Sequence, residues 1–207
     1  MPRTSLRIPV LAAMLLAALL SAPARGESAD PAARVNGFYE VLLNTMENAK
    51  QLGLKGRYDK LAPVLSKTYD LASMAKTAVG PGWSEFTPEQ QREVVKAFTR
   101  MTIATYASRF DDYAGEQLEV SQTVDQPNGD KIVKTQITQS NGKTVALNYL
   151  MRKVGAEWKI QDVYLNGAIS ELATRRAEFG AILKSGGPDA LISSLTRQAD
   201  KLLSGGT

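Results

Sequence analysis

The spacing of apolar residues changes twice along this chain, and that change limits the fold more than any single motif. From about residue 32 to 113 apolar side chains recur at helical spacing. From 116 to 165 they alternate or are β-branched, and beyond 169 the helical spacing returns. Two turn signals punctuate the middle stretch, Pro127-Asn128-Gly129-Asp130 and Asn141-Gly142, and Gly155-Ala156 supplies a third connection. Such sequences favour tight hairpins because they accept positive φ without a side-chain clash. The spacing thus predicts strands over 116–125, 131–140, 143–153 and 157–165, joined as an antiparallel four-stranded meander. Helices, then a meander, then helices is an α+β arrangement rather than alternating α/β.

The helical stretches divide at their breakers. Val35, Phe38, Tyr39, Leu42, Leu43 and Met46 predict a helix over 32–50. A short one over 57–65 (Tyr58, Leu61, Leu65) is weakened by Pro63, and one over 68–79 turns Leu71, Met74 and Ala75 inward. Gly80-Pro81-Gly82 then breaks the chain. Thr87-Pro88-Glu89-Gln90 is a capping box with proline at the first helical position. The helix it starts is expected to run to about Tyr113, a length of about 40 Å. At 100° per residue its apolar side chains (Met101, Val94, Phe98, Val95, Tyr106, Phe110, Ile103) cover roughly 200°, twice what a surface helix needs. Either this helix is simply buried between a sheet and other helices, or part of its arc lines a ligand cavity.

Arg109 falls inside that arc near the helix end, where it can snorkel to water and offset the helix dipole, or meet a polar head group at a cavity mouth. On the third strand Val145, Leu147, Tyr149 and Met151 face one way. On the fourth, Trp158, Ile160 and Tyr164 alternate with Val163 and Leu165, so its end is apolar on both faces. Ile169–Lys184, with Leu172, Ala173, Phe179 and Leu183, and 189–203, with Leu191, Ile192, Leu195 and Leu202, are the closing helices, separated by Ser185-Gly186-Gly187-Pro188.

The 207 residues include no cysteine and no histidine. That excludes Ser-His and Cys-His nucleophiles, a histidine general base and a His/Cys zinc site. Carboxylates remain, but none converge. Asp111 and Asp112 are neighbours and point about 100° apart on a helix. Glu89 and Glu93 share a face in an acid-rich first turn, where the helix dipole favours them. Asp162, within the fourth strand, is expected to bond neighbouring backbone or an arginine. No EF-hand, P-loop or dinucleotide fingerprint is present, so no metal and no cofactor is expected, and no catalytic residue either.

The first 24 residues read as a secretory signal: Arg3 and Arg7, an apolar run from Ile8 to Leu20, and an A-x-A cleavage site ending at Ala24. Removing them takes away two arginines and no acid, so the net charge falls from +4 to +2. That is too weak a balance for a nucleic-acid protein. The expected mature chain, 25–207, is one domain exported to the periplasm of a Gram-negative cell and free of the membrane after cleavage.

Several ordered segments resemble the MlaC, or toluene-tolerance, family. They are Trp83-Ser84-Glu85-Phe86-Thr87-Pro88-Glu89-Gln90-Gln91-Arg92, Ala97-Phe98-Thr99, Tyr106-Ala107, Trp158-Lys159-Ile160-Gln161-Asp162-Val163-Tyr164 and Gly167-Ala168-Ile169-Ser170. Glu178-Phe179-Gly180 with Gly187 and Leu191 extends the match. Tyr106-Ala107-Ser108-Arg109-Phe110, Leu147-Asn148-Tyr149 and Ser170-Glu171-Leu172-Ala173-Thr174-Arg175-Arg176 look closest to the hopanoid-associated HpnM branch.

The resemblance implies a cone-shaped sheet wrapped by helices, like nuclear transport factor two with extra helices, and a periplasmic lipid carrier without catalytic residues. Its cargo would be a hopanoid passed from an RND-type transporter, or a phospholipid exchanged with an inner-membrane MCE–ABC complex and an outer-membrane lipoprotein. The contact with either membrane complex would be transient. The expected lipid-binding side chains are Leu71, Met74, Val94, Phe98, Met101, Tyr106, Arg109 and Phe110 from the helices, Leu147, Tyr149, Met151, Val163 and Leu165 from the strands, and Leu172.

Overall fold

The computed structural model describes residues 30–205, so the expected signal segment 1–24 lies outside the described residues. The chain runs α1 (Pro31–Glu47), α2 (Ala49–Thr68), α3 (Leu71–Val79), a 3-10 turn (Gly80–Glu85), α4 (Pro88–Arg109), β1 (Gln117–Asp125), β2 (Lys131–Thr138), β3 (Thr144–Val154), β4 (Glu157–Leu165), β5 (Ile169–Ser170) and α5 (Glu171–Leu203). The sheet is antiparallel with order β1-β2-β3-β4-β5. The expected meander is therefore present and gains a fifth, two-residue strand where a helix start was expected. Ser170 can both pair there and cap α5: its hydroxyl accepts from Ala173 N at 2.9 Å.

α4 begins as its sequence predicts. The Thr87 hydroxyl accepts from Gln90 N, and the Gln90 side chain accepts from Thr87 N. It ends at Arg109 rather than Tyr113, with Asp111 and Asp112 exposed beyond it. α2 is longer than expected and runs through Pro63, at a cost the complete burial of Leu61 and Leu65 offsets. Gly53 (φ 60°) kinks α2, and Gly187 (φ 66°) divides α5 near the predicted break. Both backbones sit where only glycine is comfortable.

α1 lies across β1, β2 and β4, while α4 packs on α5, α2 and α3. Phe38, Tyr39 and Leu42 of α1 meet Tyr149, Met151 and Ile160 in a continuous core that reaches Phe179, Leu191 and Leu195 of α5. Each large apolar side chain removed from water in it contributes roughly 1.5–3 kcal/mol.

The apolar end of β4 has a geometric cause. Leu150 pairs with Asp162 but Met151 with Ile160, so Gln161 is an extra residue in a β-bulge. The bulge shifts the alternation by one residue. Trp158 and Ile160 before it and Val163 and Leu165 after it consequently face the same interior, and Tyr164 goes to the other side. Gln161 Nε2 donates to Asp70 Oδ2 (3.1 Å) and Ile160 O accepts from Asp70 N (2.9 Å), which ties the bulge to the start of α3.

Candidate cleft between the long helix and the sheet

Along α4 the residues Phe98, Met101, Thr102, Thr105, Tyr106 and Arg109 recur three and four apart and form one stripe. Opposite stand Leu147 on β3, Val163 and Leu165 on β4, and Glu171, Leu172 and Arg175 at the start of α5. Met74 of α3, Tyr69 just before it and Phe110 just after α4 complete the walls. The cleft between them is partly open to solvent and holds about 160 Å³, roughly the volume of an engineered cavity that admits benzene.

The walls are graded. Tyr69, Met74, Phe98, Met101, Val163 and Leu172 are buried. Phe98 meets Phe179 edge-on with centroids 6.3 Å apart, which closes the wall behind it. Arg109 is exposed and forms no ion pair among the described residues. Arg175 is engaged, with Glu171 Oε1 at 3.2 Å and Glu178 Oε2 at 3.1 Å. The rim thus carries one engaged and one free guanidinium.

The end of α4 is held from below. Arg57 is buried on α2, its Nε donates to Ala107 O (2.8 Å) and its Nη1 to Ala49 O (3.1 Å). Ala107 O lies in the last turn of α4, where carbonyls lack helical partners. Asp162 does similar work at α5. Its Oδ1 accepts from Val163 N (2.8 Å) and Leu172 N (3.2 Å), and its Oδ2 from the Ser170 hydroxyl (2.6 Å). The backbone bonds expected of this strand carboxylate are present, and they anchor the first turn of α5 against the cleft.

Besides the Thr102 and Thr105 hydroxyls, two phenol hydroxyls interrupt the apolar wall. Tyr69 and Tyr106 Oη are 2.5 Å apart, and the Tyr106 ring stacks on Phe110 at 5.5 Å and 20°. Burial pushes both phenols well above their ordinary range, so both stay neutral at physiological pH. Behind them Tyr39 Oη lies 3.1 Å from Tyr149 Oη and 2.6 Å from Thr135 Oγ1, and the Thr135 hydroxyl donates to Leu147 O at 2.6 Å.

Of the side chains singled out in the sequence, Met74, Phe98, Met101, Tyr106, Arg109, Phe110, Leu147, Val163, Leu165 and Leu172 line the cleft. The other four do not. Leu71, Val94, Tyr149 and Met151 are buried in the core away from it. Tyr149 and Met151 share a face with Leu147, but Tyr149 meets Tyr39 of α1 and Met151 is fully buried in the core. Tyr69, Thr102, Thr105, Glu171 and Arg175 line the cleft without having been singled out. The threonines were legible as the missing members of the α4 stripe, because spacing places them there although hydropathy does not. Glu171 and Arg175 stand four apart on α5, a helical ion-pair spacing. Tyr69 carried no local signal.

The carboxylate pairs are engaged on the surface. Glu89 pairs with Arg92, Glu93 lies 3.3 Å from Lys96, and Asp112 lies 3.5 Å from Lys50. Among the described residues no three acidic, histidine or cysteine side chains converge to hold a metal, and no helix is long and apolar enough to cross a membrane.

The family model for MlaC protein matches residues 38–197. The chain belongs to the MlaC family. This MlaC-family chain is 25% identical over 111 residues to the toluene tolerance protein ttg2D of Pseudomonas putida, an alignment covering 53% of this chain and 52% of that protein. It spans about half the length of that relative. Its fold is shared with a phospholipid-binding protein from Ralstonia solanacearum, solved in complex with a phospholipid. The TM-score is 0.74 at 24% identity, over 84% of this chain and 99% of the other.

Proposed function

We propose that this chain is a periplasmic carrier that shields the apolar part of a phospholipid in the α4–α5–sheet cleft and performs no chemistry on it. The observation that carries the reading is an apolar cleft with a cation, Arg109, at its rim that is unpaired among the described residues. A phospholipid needs apolar walls for its chains, at about 25 cal/mol per Å² buried, and a counter-charge for its phosphate near water. The phospholipid complex of the Ralstonia relative supports the same reading, as does the signal-like segment 1–24 preceding a single mature domain.

An acyl chain needs more room than about 160 Å³, so loading requires wall side chains to swing aside. Met74 and Met101 suit this, since each has three rotatable bonds and adapts to irregular surfaces. The partners would be membrane lipid transporters: an MCE–ABC complex for phospholipid, or an RND-type transporter for a hopanoid. The hopanoid cargo of an HpnM-type branch rests on sequence segments 106–110, 147–149 and 170–176.

Native mass spectrometry of protein recovered from its own periplasm tests the reading, alongside uptake from vesicles of phospholipid with or without a hopanoid. A co-purified phospholipid is the expected result, and a co-purified hopanoid would move the cargo to the second reading. No bound lipid together with no uptake of either would overturn the carrier function.

A further inference from the structure

The cleft presents its chemistry in tiers along α4. Arg109 stands exposed at the rim, Tyr106 follows one helical turn inward, and Met101 and Phe98 continue the stripe with apolar surface. Three residues of helix separate the guanidinium and phenol positions by a rise of about 4.5 Å. Tyr106 Oη has one hydrogen-bond partner among the described residues, Tyr69 Oη at 2.5 Å. A hydroxyl offers one donor and two acceptor positions, so Tyr106 retains bonding capacity in a largely apolar wall. When Tyr69 donates to Tyr106, the Tyr106 hydrogen is free for a ligand, and the shared bond polarises it toward stronger donation.

We infer that Tyr106, supported by Tyr69, is a hydrogen-bond anchor for an acyl ester carbonyl of the cargo, selecting ester-linked diacyl phospholipids over ether-linked ones. This rests on the carrier reading above. A diacyl phospholipid presents the same order as the wall: phosphate, then a few bonds away the ester oxygens, then hydrocarbon. An ester carbonyl taken out of water without a partner carries a desolvation penalty. The Tyr106 hydroxyl removes that penalty, and an ether oxygen, a poorer acceptor, gains less. Tyr69 acts as a positioning residue, held by its own burial and by the edge-on Phe38 ring at 5.7 Å.

The test uses vesicles of two phospholipids with the same head group and chain lengths, one diacyl and one dialkyl ether. The wild-type protein is expected to take up the ester lipid about three- to tenfold better, the span of one hydrogen bond. Tyr106→Phe keeps the ring and its stacking and is expected to bring the ratio to one by lowering ester-lipid uptake about three- to tenfold, while a circular-dichroism melt reports that the variant is folded. Tyr69→Phe is expected to retain part of the preference. In the wild-type complex the infrared carbonyl band of an isotope-labelled ester is expected at the frequency of a hydrogen-bonded carbonyl. Equal uptake of both lipids by the wild type, or a free-carbonyl band in its complex, overturns the anchor and leaves the carrier reading standing. Uptake of neither lipid overturns the carrier reading itself.

Discussion

The two sides of β3 neighbours Leu147 and Tyr149 show how a filled core and a cleft are made from the same materials. Both residues point to one face of the sheet. Tyr149 meets α1, where Phe38 and Tyr39 leave no space, and its hydroxyl joins a run of bonded hydroxyls ending on Leu147 O. Leu147 meets the far end of α4, where Thr102, Thr105 and Tyr106 stand back and leave the cleft. Residue class does not separate the regions. What stands opposite does.

The largest difference between the regions should appear on truncation. Met151→Ala, on the filled side, is expected to lower stability by about 2–5 kcal/mol without changing lipid uptake per folded molecule, as chemical denaturation and vesicle uptake would show. Uptake falling in step with Met151 truncation would mean that the cleft extends under α1. Filling the open side should do the reverse. Phe98→Trp is expected to cut uptake tenfold or more, at a stability cost within the ~1–3 kcal/mol of overpacking. Unchanged uptake would make Phe98 plain core.

Rim chemistry should weigh less. Arg109→Ala is expected to reduce capture of anionic phospholipid several-fold and flatten its salt dependence, with little effect on a neutral hopanoid. Equal losses for both lipids would return Arg109 to a structural role. The smallest effect should lie furthest from the cleft, at the β1–β2 turn. Two hydrogen bonds from Arg152, at 2.9 and 2.7 Å, hold the Asp130 carboxyl below its ordinary range. A carboxylate whose folded value is depressed stabilises the fold above its unfolded value, near pH 3.9, and loses that contribution as pH falls through the folded value. Asp130→Asn should therefore flatten the acid side of a stability–pH curve below about pH 4 and leave lipid uptake at neutral pH unchanged. An acid limb identical to the wild type would assign that loss to other carboxylates.

Much of the fold was legible because local chemistry dictated it. The hairpin connections form at Gln126–Asp130 and Gln139–Lys143, around the predicted Asn-Gly signals, and the capping box starts α4 at the predicted residue. The bulge at Gln161 was not legible, because a polar residue between two apolar ones also fits plain alternation. It nevertheless decides that Val163 and Leu165, rather than Tyr164, reach the cleft. The helix through Pro63 was legible over 57–65, but its full length, Ala49–Thr68, was not: local propensity opposes it at Gly53, Gly56 and Pro63, and burial of its neighbours reverses the balance.

By itself the sequence determined most of the helix and strand segments, the absence of cysteine and histidine chemistry, and a stripe on α4 that had to be covered. These follow from spacing and residue type. Only the tertiary structure decided which part of that stripe faces a neighbour and which faces a void, and that Tyr69, distant in sequence, brings its hydroxyl to Tyr106. A cavity is a property of what is missing opposite a side chain, and no residue carries that information alone.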